Sequence, residues 1–177
     1  ASTPSEAAKG AKIVFTCVGN DDDLRQVVNG EQGAFRGMER GTLLVDHTTT
    51  SAIVARELAG VGASLGVGVV DAPISGGQSG AENGILTVMC GGDQANYDRA
   101  EPVIQAYARS VKRLGEVGSG QLTKMVNQIC VAGVVQSLAE AIHFAQRAGL
   151  DPLSVIDVIS KGAAQSWQME NRHKTMV

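Results

Sequence analysis

The feature that most constrains the fold is an alternation of short apolar runs and helical stretches in the first part of the chain. The β-rich run Lys12–Val18 ends in a turn, and two similar runs follow at 42–46 and 66–70. The stretch 21–28 between them opens with three aspartates, which suit the positive end of a helix, and the stretch 48–58 opens with threonine and serine caps. Strands that alternate with helices at this spacing predict βαβ units and a parallel sheet, hence an α/β fold.

Beyond Asp71 this alternation breaks down. The apolar run 85–90 is separated from the 66–70 strand by a glycine-rich loop that is too short for a crossover helix, which predicts an antiparallel strand. We predict a helix over 96–109 and a last short strand over 111–114. Glycines then mark the end of a first domain, which we place at residues 1–117.

A long helix is predicted over 119–147 and a second helix over 151–160, as the start of an all-helical domain at residues 118–177. Apolar residues surround the long helix almost completely, so we expect another domain or subunit to cover it. Its longest uncharged stretch, 125–139, is shorter than a membrane span and contains polar residues such as Asn127 and Gln128. We therefore expect no membrane partner.

Charge and cysteine content narrow the function classes. The 15 basic and 18 acidic residues are mixed along the chain and leave a net charge of −3, which favours a small soluble ligand over nucleic acid or an anionic membrane. The three cysteines form no CxxC pair, so we expect reduced thiols in a cytoplasmic protein. The three histidines are isolated and no HExxH or GxSxG motif is present, which argues against metal and serine-hydrolase chemistry.

Lys124, Asn127 and Gln128 stand at i, i+3 and i+4, which places an amine and two amides on one face of the long helix. Burying a lysine is costly, so a lysine in this apolar context indicates function. The alternative is a lysine that extends along the helix end to reach water.

The segment Asp71–Gly77 (DAPISGG) follows a strand and offers a hydroxyl and glycine amides. These groups can form an anion cup for a carboxylate or a phosphate. A glycine-rich surface turn is the alternative. Asp21, Asp22 and Asp23 are most simply the start of a helix.

Taken together, these segments resemble the β-hydroxyacid dehydrogenase family, which includes 3-hydroxyisobutyrate dehydrogenase, tartronate semialdehyde reductase and, more distantly, 6-phosphogluconate dehydrogenase. The resemblance extends from about Ala7 to Met169 and rests on DAPISGG (71–77), GILT (84–87) and GSGQLTKMVNQ (118–128). It implies the second half of a Rossmann-like nucleotide-binding domain with a mixed sheet, followed by the start of an all-α domain. The family's GxGxxG segment would lie upstream of Ala1 and its last helices beyond Val177, so we expect an internal piece of a longer enzyme.

The resemblance also implies an activity and the residues that carry it. The enzyme would be an NAD(P)-dependent oxidoreductase that interconverts a small 3-hydroxy acid and its semialdehyde by hydride transfer, with Lys124 as the acid/base. The substrate would be held by Ser75, Gly76, Gly77, Asn127 and Gln128. NAD or NADP would contact Val18, Gly19, Asn20, Asp23 and Thr49.

Some positions depart from the family pattern. Gly19 stands where a proline is frequent, and Asp23 stands where an amide is common, which weakens those two cofactor contacts. Gln128 stands where many members have a second asparagine, as in the tartronate semialdehyde reductase branch. The choice of substrate and the choice between NAD and NADP stay open.

Three other interpretations stay open at this stage. A 6-phosphogluconate dehydrogenase-like enzyme would commonly carry a histidine beside the asparagine, where this chain has Gln128. Imine reductases usually replace the lysine that this chain retains as Lys124. A non-catalytic scaffold that acts only in assembly is the third. For the enzyme, we expect a homodimer or homotetramer formed through the long helix.

Overall fold

A computed structural model describes residues 1–177. The chain divides into two compact units, Ala1–Met125 and Val126–Val177, and each is described by itself. The long helix Ser119–Arg147 begins in the first unit and ends in the second. The division into domains at 117/118 stays a prediction.

The first unit is a mixed α/β structure. Its elements in chain order are α1 (Pro4–Ala8), β1 (Ile13–Thr16), α2 (Asp21–Asn29), β2 (Leu43–Asp46), α3 (Ala52–Leu65), β3 (Gly68–Asp71), β4 (Ile74–Ser75), α4 (Gly77–Glu82), β5 (Leu86–Gly91), α5 (Gln94–Ile104), β6 (Ala108–Gly115) and the start of α6 (Ser119–Arg147). A short 3-10 turn covers Ala34–Arg36.

All six strands belong to one sheet. Strands β1, β2 and β3 are parallel neighbours, β5 runs antiparallel beside β3 and β4, and β6 is parallel to β5. The predicted α/β class, the parallel β1–β3 arrangement and the antiparallel β5 are confirmed. Thr16, Asp46 and Asp71 lie side by side in register, so three polar residues end three adjacent strands at the same level.

The central strands β2, β3 and β5 are buried on both faces of the sheet. Leu43 and Val45 of β2 point into a cluster completed by α5, whereas Leu44 between them joins a cluster with α2 and α3. Successive strand residues point to opposite faces, so one short apolar strand supplies both cores. This two-sided covering fixes which edge of the sheet stays open to a ligand.

Some predicted element boundaries were wrong. The helix expected over 96–109 ends at Ile104, and Ala108 and Arg109 belong to β6, which pairs with β5 through Leu86 and Ala108. Strand pairing outweighed the local helical pattern there. Helix α3 continues past Leu58 to Leu65 and ends at Gly66, which has a left-handed φ of 72°. The short elements β4 and α4 were not predicted.

The second unit is helical, as predicted. It contains the rest of α6, then α7 (Pro152–Ile159), α8 (Trp167–Arg172) and a 3-10 turn at His173–Thr175. A small core of Leu138, Ile142, Ile156 and Met169 holds it together. The cap of α7 is Asp151, whose carboxylate accepts the Leu153 and Ser154 amides.

Helix α6 exposes much of its apolar surface. Ile129 is 73% exposed and Phe144 is 71% exposed. From the stretch 125–139 alone, we expected no membrane span. The complete helix is nevertheless long and apolar enough to cross a membrane by length and composition, and 11% of its most apolar stretch is buried. The same length and composition also suit a helix that another protein chain covers.

The first turn of α6 lies so close to the sheet that Gly120 leaves no room for a side chain. An added Cβ would lie 2.4 Å from the Met89 carbonyl oxygen and 2.6 Å from that of Asp71. We predict that Gly120→Ala lowers the free energy of unfolding by about 2 kcal/mol or more, because both obstacles are backbone atoms. Thermal unfolding of the complete gene product would measure this.

The matched control is Gly60→Ala inside helix α3, where an added Cβ meets nothing within 4 Å. Alanine is about 1 kcal/mol better than glycine inside a helix, so this variant should be as stable as the parent or more stable. Equal melting temperatures for the two variants would contradict the close approach at Gly120.

Candidate active site

Three loops leave the carboxyl ends of the parallel strands β1, β2 and β3 at one edge of the sheet. In parallel α/β sheets this edge is where ligands bind. The first loop contains Val18, Gly19 and Asn20, and the second contains Thr49. The segment after β3 leads through β4 to Ser75–Gly77, where β4 ends and α4 begins. The fold therefore brings the predicted cofactor and substrate segments to the same edge.

Asp46, at the end of β2, ties the first two loops together. Its Oδ1 accepts hydrogen bonds from the Thr16 hydroxyl at 2.8 Å, the Thr48 hydroxyl at 2.6 Å and the Thr48 amide at 3.1 Å. The Thr48 hydroxyl in turn accepts the Val18 amide at 3.0 Å. The backbone at Val18 is thus fixed by a carboxylate on the neighbouring strand.

Two buried polar atoms, one at the end of β2 and one in the second loop, lack a hydrogen-bond partner. They are Oδ2 of Asp46 and the hydroxyl oxygen of Thr50. Burial raises the pKa of Asp46, although its three hydrogen bonds act in the opposite direction. Unpaired buried polar groups are uncommon in folded proteins, and their clustering at one loop is typical of a functional site.

Asn20, Gly19 and Asp23 form a compact turn at the start of α2. Oδ1 of Asn20 accepts the amides of Asp22 and Asp23, both at 2.9 Å, and its Nδ2 donates to Asp23 Oδ2 at 2.9 Å. A Cβ at position 19 would lie 2.6 Å from that same Asp23 oxygen. The two departures from the family pattern, Gly19 and Asp23, are therefore sterically matched to each other.

Asp71, at the end of β3, is the cap of helix α6. Its Oδ1 accepts the Gly118 amide at 2.7 Å and its Oδ2 accepts the Gln121 amide at 2.9 Å. Asp71 is 1% exposed, and burial raises its pKa while the two amide hydrogen bonds lower it. A Cβ at Gly91 would lie 2.5 Å from Asp71 Oδ1, so a glycine on β5 makes room for the cap.

Lys124 lies three residues beyond Gln121, still in the first unit. It is 8% exposed, so most of its side chain is buried. Burial lowers the pKa of the Lys124 amine, because the low-dielectric surroundings disfavour the charged form. A buried amine with a lowered pKa exchanges protons more readily than a surface lysine.

Asn127 and Gln128 belong to the second unit. Asn127 is half-buried, Gln128 is exposed, and the Asn127 Nδ2 donates to Gln128 Oε1 at 2.9 Å. Their substrate-orienting roles stay a prediction.

The SGG segment has a backbone conformation that glycine adopts more easily than other residues. Ser75 ends β4, and Gly76 and Gly77 follow with φ of 135° and 60°. A Cβ at Gly76 would lie 3.0 Å from the Leu86 side chain, whereas Gly77 has nothing within 4 Å. Both glycines are exposed.

Several site residues were missed from the sequence. The sequence predicts only a helix cap for Thr48, and it gives Gln121, within the motif 118–128, no predicted role. His47 was read as isolated, yet its Nδ1 donates to the Ala72 carbonyl at 2.6 Å and its Nε2 accepts the Tyr107 hydroxyl at 2.7 Å. Burial lowers the pKa of His47, so a neutral ring holds the third loop. The sequence signal that could have indicated this role for His47 is its place one residue after the end of β2.

Two family models together match the whole chain. The NAD-binding domain of 6-phosphogluconate dehydrogenase matches residues 1–118, and the NAD-binding region of NADP-dependent 3-hydroxyisobutyrate dehydrogenase matches residues 118–177. The chain belongs to the β-hydroxyacid dehydrogenase family. The cofactor of this family is NAD or NADP.

Individual β-hydroxyacid dehydrogenase relatives agree. An uncharacterised oxidoreductase of Shewanella frigidimarina is 69% identical, covering 99% of this chain and 60% of its own length. The 2-hydroxy-3-oxopropionate reductase of Escherichia coli is 33% identical with the same coverage. The crystal structure of 3-hydroxyisobutyrate dehydrogenase from Salmonella typhimurium superposes with a TM-score of 0.88 at 33% identity, covering 99% of this chain and 61% of that one. The chain thus spans about 60% of the length of these relatives.

The buried carboxylate of Asp46 generates a prediction on pH and stability. Its folded-state pKa is raised, so the folded protein holds this proton more tightly than the unfolded chain. The free energy of unfolding contributed by Asp46 therefore falls as the pH rises from the unfolded value of about 3.9 to the raised value, by at most about 1.4 kcal/mol per pH unit. Asp46→Asn removes this contribution.

The measurement is urea unfolding of parent and Asp46→Asn between pH 4 and pH 8. The free energy of the variant relative to the parent should rise with pH and then become level, on top of a constant offset from the substitution. His47 titrates in both proteins and cancels in the difference. The charge of Asp46 also raises the pKa of Asp71, so its removal adds to the same rise. A difference that stays constant over the whole range would show that the pKa of Asp46 is not raised.

Proposed function

We propose that the complete protein is an NAD(P)-dependent oxidoreductase that interconverts a small 3-hydroxy acid and the corresponding semialdehyde. The observation that carries the proposal is the burial of Lys124. This lysine lies one turn after the start of α6, which is capped by Asp71 at the end of β3. Strand β3 leads into the SGG segment. Membership of the β-hydroxyacid dehydrogenase family supports an oxidoreductase of this general kind. The particular substrate and the roles below are our proposal.

Lys124 is proposed to be the acid/base. In the reduction, its ammonium form donates a proton to the oxygen that becomes the hydroxyl, and in the oxidation its neutral form removes that proton. Burial lowers the pKa of the amine from the ordinary lysine value, which makes the neutral form easier to reach. Asn127 and Gln128, at i+3 and i+4, would orient the substrate and the lysine.

Ser75, Gly76 and Gly77 are proposed to bind the acid group of the substrate. The hydroxyl of Ser75 and the backbone amides of the two glycines are donors, and a carboxylate accepts several of them at once.

The first two loops fit the sugar side of NAD(P). Val18, Gly19, Asn20 and Thr49 offer an exposed backbone and a hydroxyl, beside the unpaired polar atoms of Asp46 and Thr50. The start of α2 is already capped by Asn20 and carries three aspartates, so it suits neutral ribose hydroxyls and not the pyrophosphate. Bound NAD(P) would supply or accept the hydride at the carbon that bears the substrate oxygen.

Two rival functions fit the chain less well. A 6-phosphogluconate dehydrogenase-like enzyme needs basic side chains for a phosphate, and the described edge of the sheet is acidic. A non-catalytic scaffold gives no reason to bury most of the Lys124 side chain, since bringing a charged group into apolar surroundings is costly. Retained Lys124 also argues against an imine reductase.

The exposed apolar surface of α6 supports assembly through this helix. We propose a homodimer or homotetramer in the cytoplasm, in which a second subunit covers residues such as Ile129 and Phe144. No nucleic-acid partner is proposed, because the charges are mixed along the chain.

The test is cofactor oxidation by the complete gene product with tartronate, succinic and methylmalonate semialdehydes. We predict turnover with one of them, and a loss of kcat of roughly 10²–10⁴-fold in Lys124→Met, because the proton donor is removed. The matched control is Lys112→Met, an exposed lysine on β6, which should keep the parent rate. Hydride transfer at the parent rate in Lys124→Met would overturn the assignment, and no turnover with any semialdehyde would favour the scaffold.

A further inference from the structure

Gln121 is a fully buried side chain that the proposed mechanism does not use. It is 0% exposed and lies in the first turn of α6. Its side-chain amide makes two hydrogen bonds with the second loop: the Thr50 amide donates to Oε1 at 3.0 Å, and Nε2 donates to the Thr48 carbonyl at 2.7 Å. A large polar side chain is costly to bury unless such bonds are made, so this position requires its amide.

The two hydrogen bonds flank Thr49, the residue predicted to contact the cofactor. A backbone amide must face the oxygen of Gln121 and a backbone carbonyl must face its nitrogen, so the side chain can fit in one orientation only. It thereby pairs with the loop much as a neighbouring strand would, and it fixes the backbone on both sides of Thr49.

The backbone of Gln121 is fixed as well. Its amide donates to Asp71 Oδ2 at 2.9 Å, and Lys124 follows three residues later on the same helix. One residue therefore joins the Thr49 loop, the end of β3 and the helical turn of Lys124. No other contact described above joins all three.

We propose that Gln121 is a positioning residue that fixes the Thr49 loop relative to the turn of α6 that carries Lys124. The ligand held at the loop is thereby presented to the amine at a set distance. The inference rests on the proposed function for the roles of Thr49 and Lys124. Small errors of placement cost large factors in rate, so a dedicated buried link between the two is useful to the reaction.

The first test replaces the amide by an apolar side chain of similar length, Gln121→Met, in the complete gene product. We expect binding of NADH or NADPH, measured by fluorescence titration, to weaken roughly tenfold, since the Thr48 and Thr50 backbone groups lose their partners. Hydrogen exchange at the Thr50 amide should accelerate. We expect kcat with the active semialdehyde to fall by roughly 100-fold.

The matched control is Ile104→Ala, a fully buried residue of α5 in the core cluster with Leu43 and Val45. It loses stability without touching the loop. At temperatures where both variants are folded, the control should keep the parent's cofactor affinity. If Gln121→Met keeps parent affinity, parent kcat and parent exchange at Thr50, the residue is only structural and the inference is wrong.

Gln121→Glu gives a readout that a purely structural role would not move. A protonated carboxyl accepts from the Thr50 amide and donates to the Thr48 carbonyl, so it keeps both bonds. The carboxylate has no proton to donate to the Thr48 carbonyl, so it loses the second bond, and it places a negative charge in a fully buried position. The cofactor affinity relative to the parent should therefore be near normal at low pH and weaken as the pH rises.

A pH-independent ratio of affinities for Gln121→Glu would contradict the positioning role. The outcomes also separate this inference from the proposed function. If Lys124→Met abolishes turnover but the Gln121 variants behave like the parent, only the positioning role fails. If the parent turns over no semialdehyde, the proposed function fails, while cofactor affinity and Thr50 exchange still decide the role of Gln121.

Discussion

The structure of the candidate site depends on one interaction, the capping of helix α6 by the carboxylate of Asp71. Two amide hydrogen bonds fix the first turn of the helix against the end of β3. They are possible only because Gly91 and Gly120 let the backbones approach so closely. A carboxylate at a helix N-terminus is stabilised by the unsatisfied amides and by the helix dipole. These hydrogen bonds offset part of the cost of burying Asp71, although burial still keeps its pKa raised.

The positions of the other site groups follow from this cap. Asp71 precedes the SGG segment by four residues, and the helix it caps carries Gln121 and Lys124 in its first two turns. Asp46, its register neighbour on β2, orders Thr48 and Val18 in the same way. Adjacent strand ends therefore each carry a buried aspartate, one ordering the proposed cofactor loops and the other the helix of the proposed acid/base.

Much of the fold could be predicted from the sequence because its signals are local. Apolar runs at 12–18, 42–46 and 66–70, with helix caps between them, are enough for a parallel βαβ pattern, and the long helix over 119–147 has its observed limits. The end of α5 was missed because the pairing of β6 with β5 is a long-range contact. In the site, the SGG segment and Lys124 were recognised through a family motif, whereas Gln121 and His47 were not. Their contacts join residues 71 and 25 positions apart, which no local pattern reveals.

The central claim is that this arrangement buries a lysine whose proton is easily exchanged. The most direct measurement is the pKa of the Lys124 amine, from a heteronuclear NMR pH titration of the complete gene product with labelled lysine. The signal is assigned by its loss in Lys124→Arg. The predicted result is a pKa below the ordinary lysine value of 10.5, because burial disfavours the ammonium form. A pKa at or above that ordinary value would contradict the proposed role of Lys124.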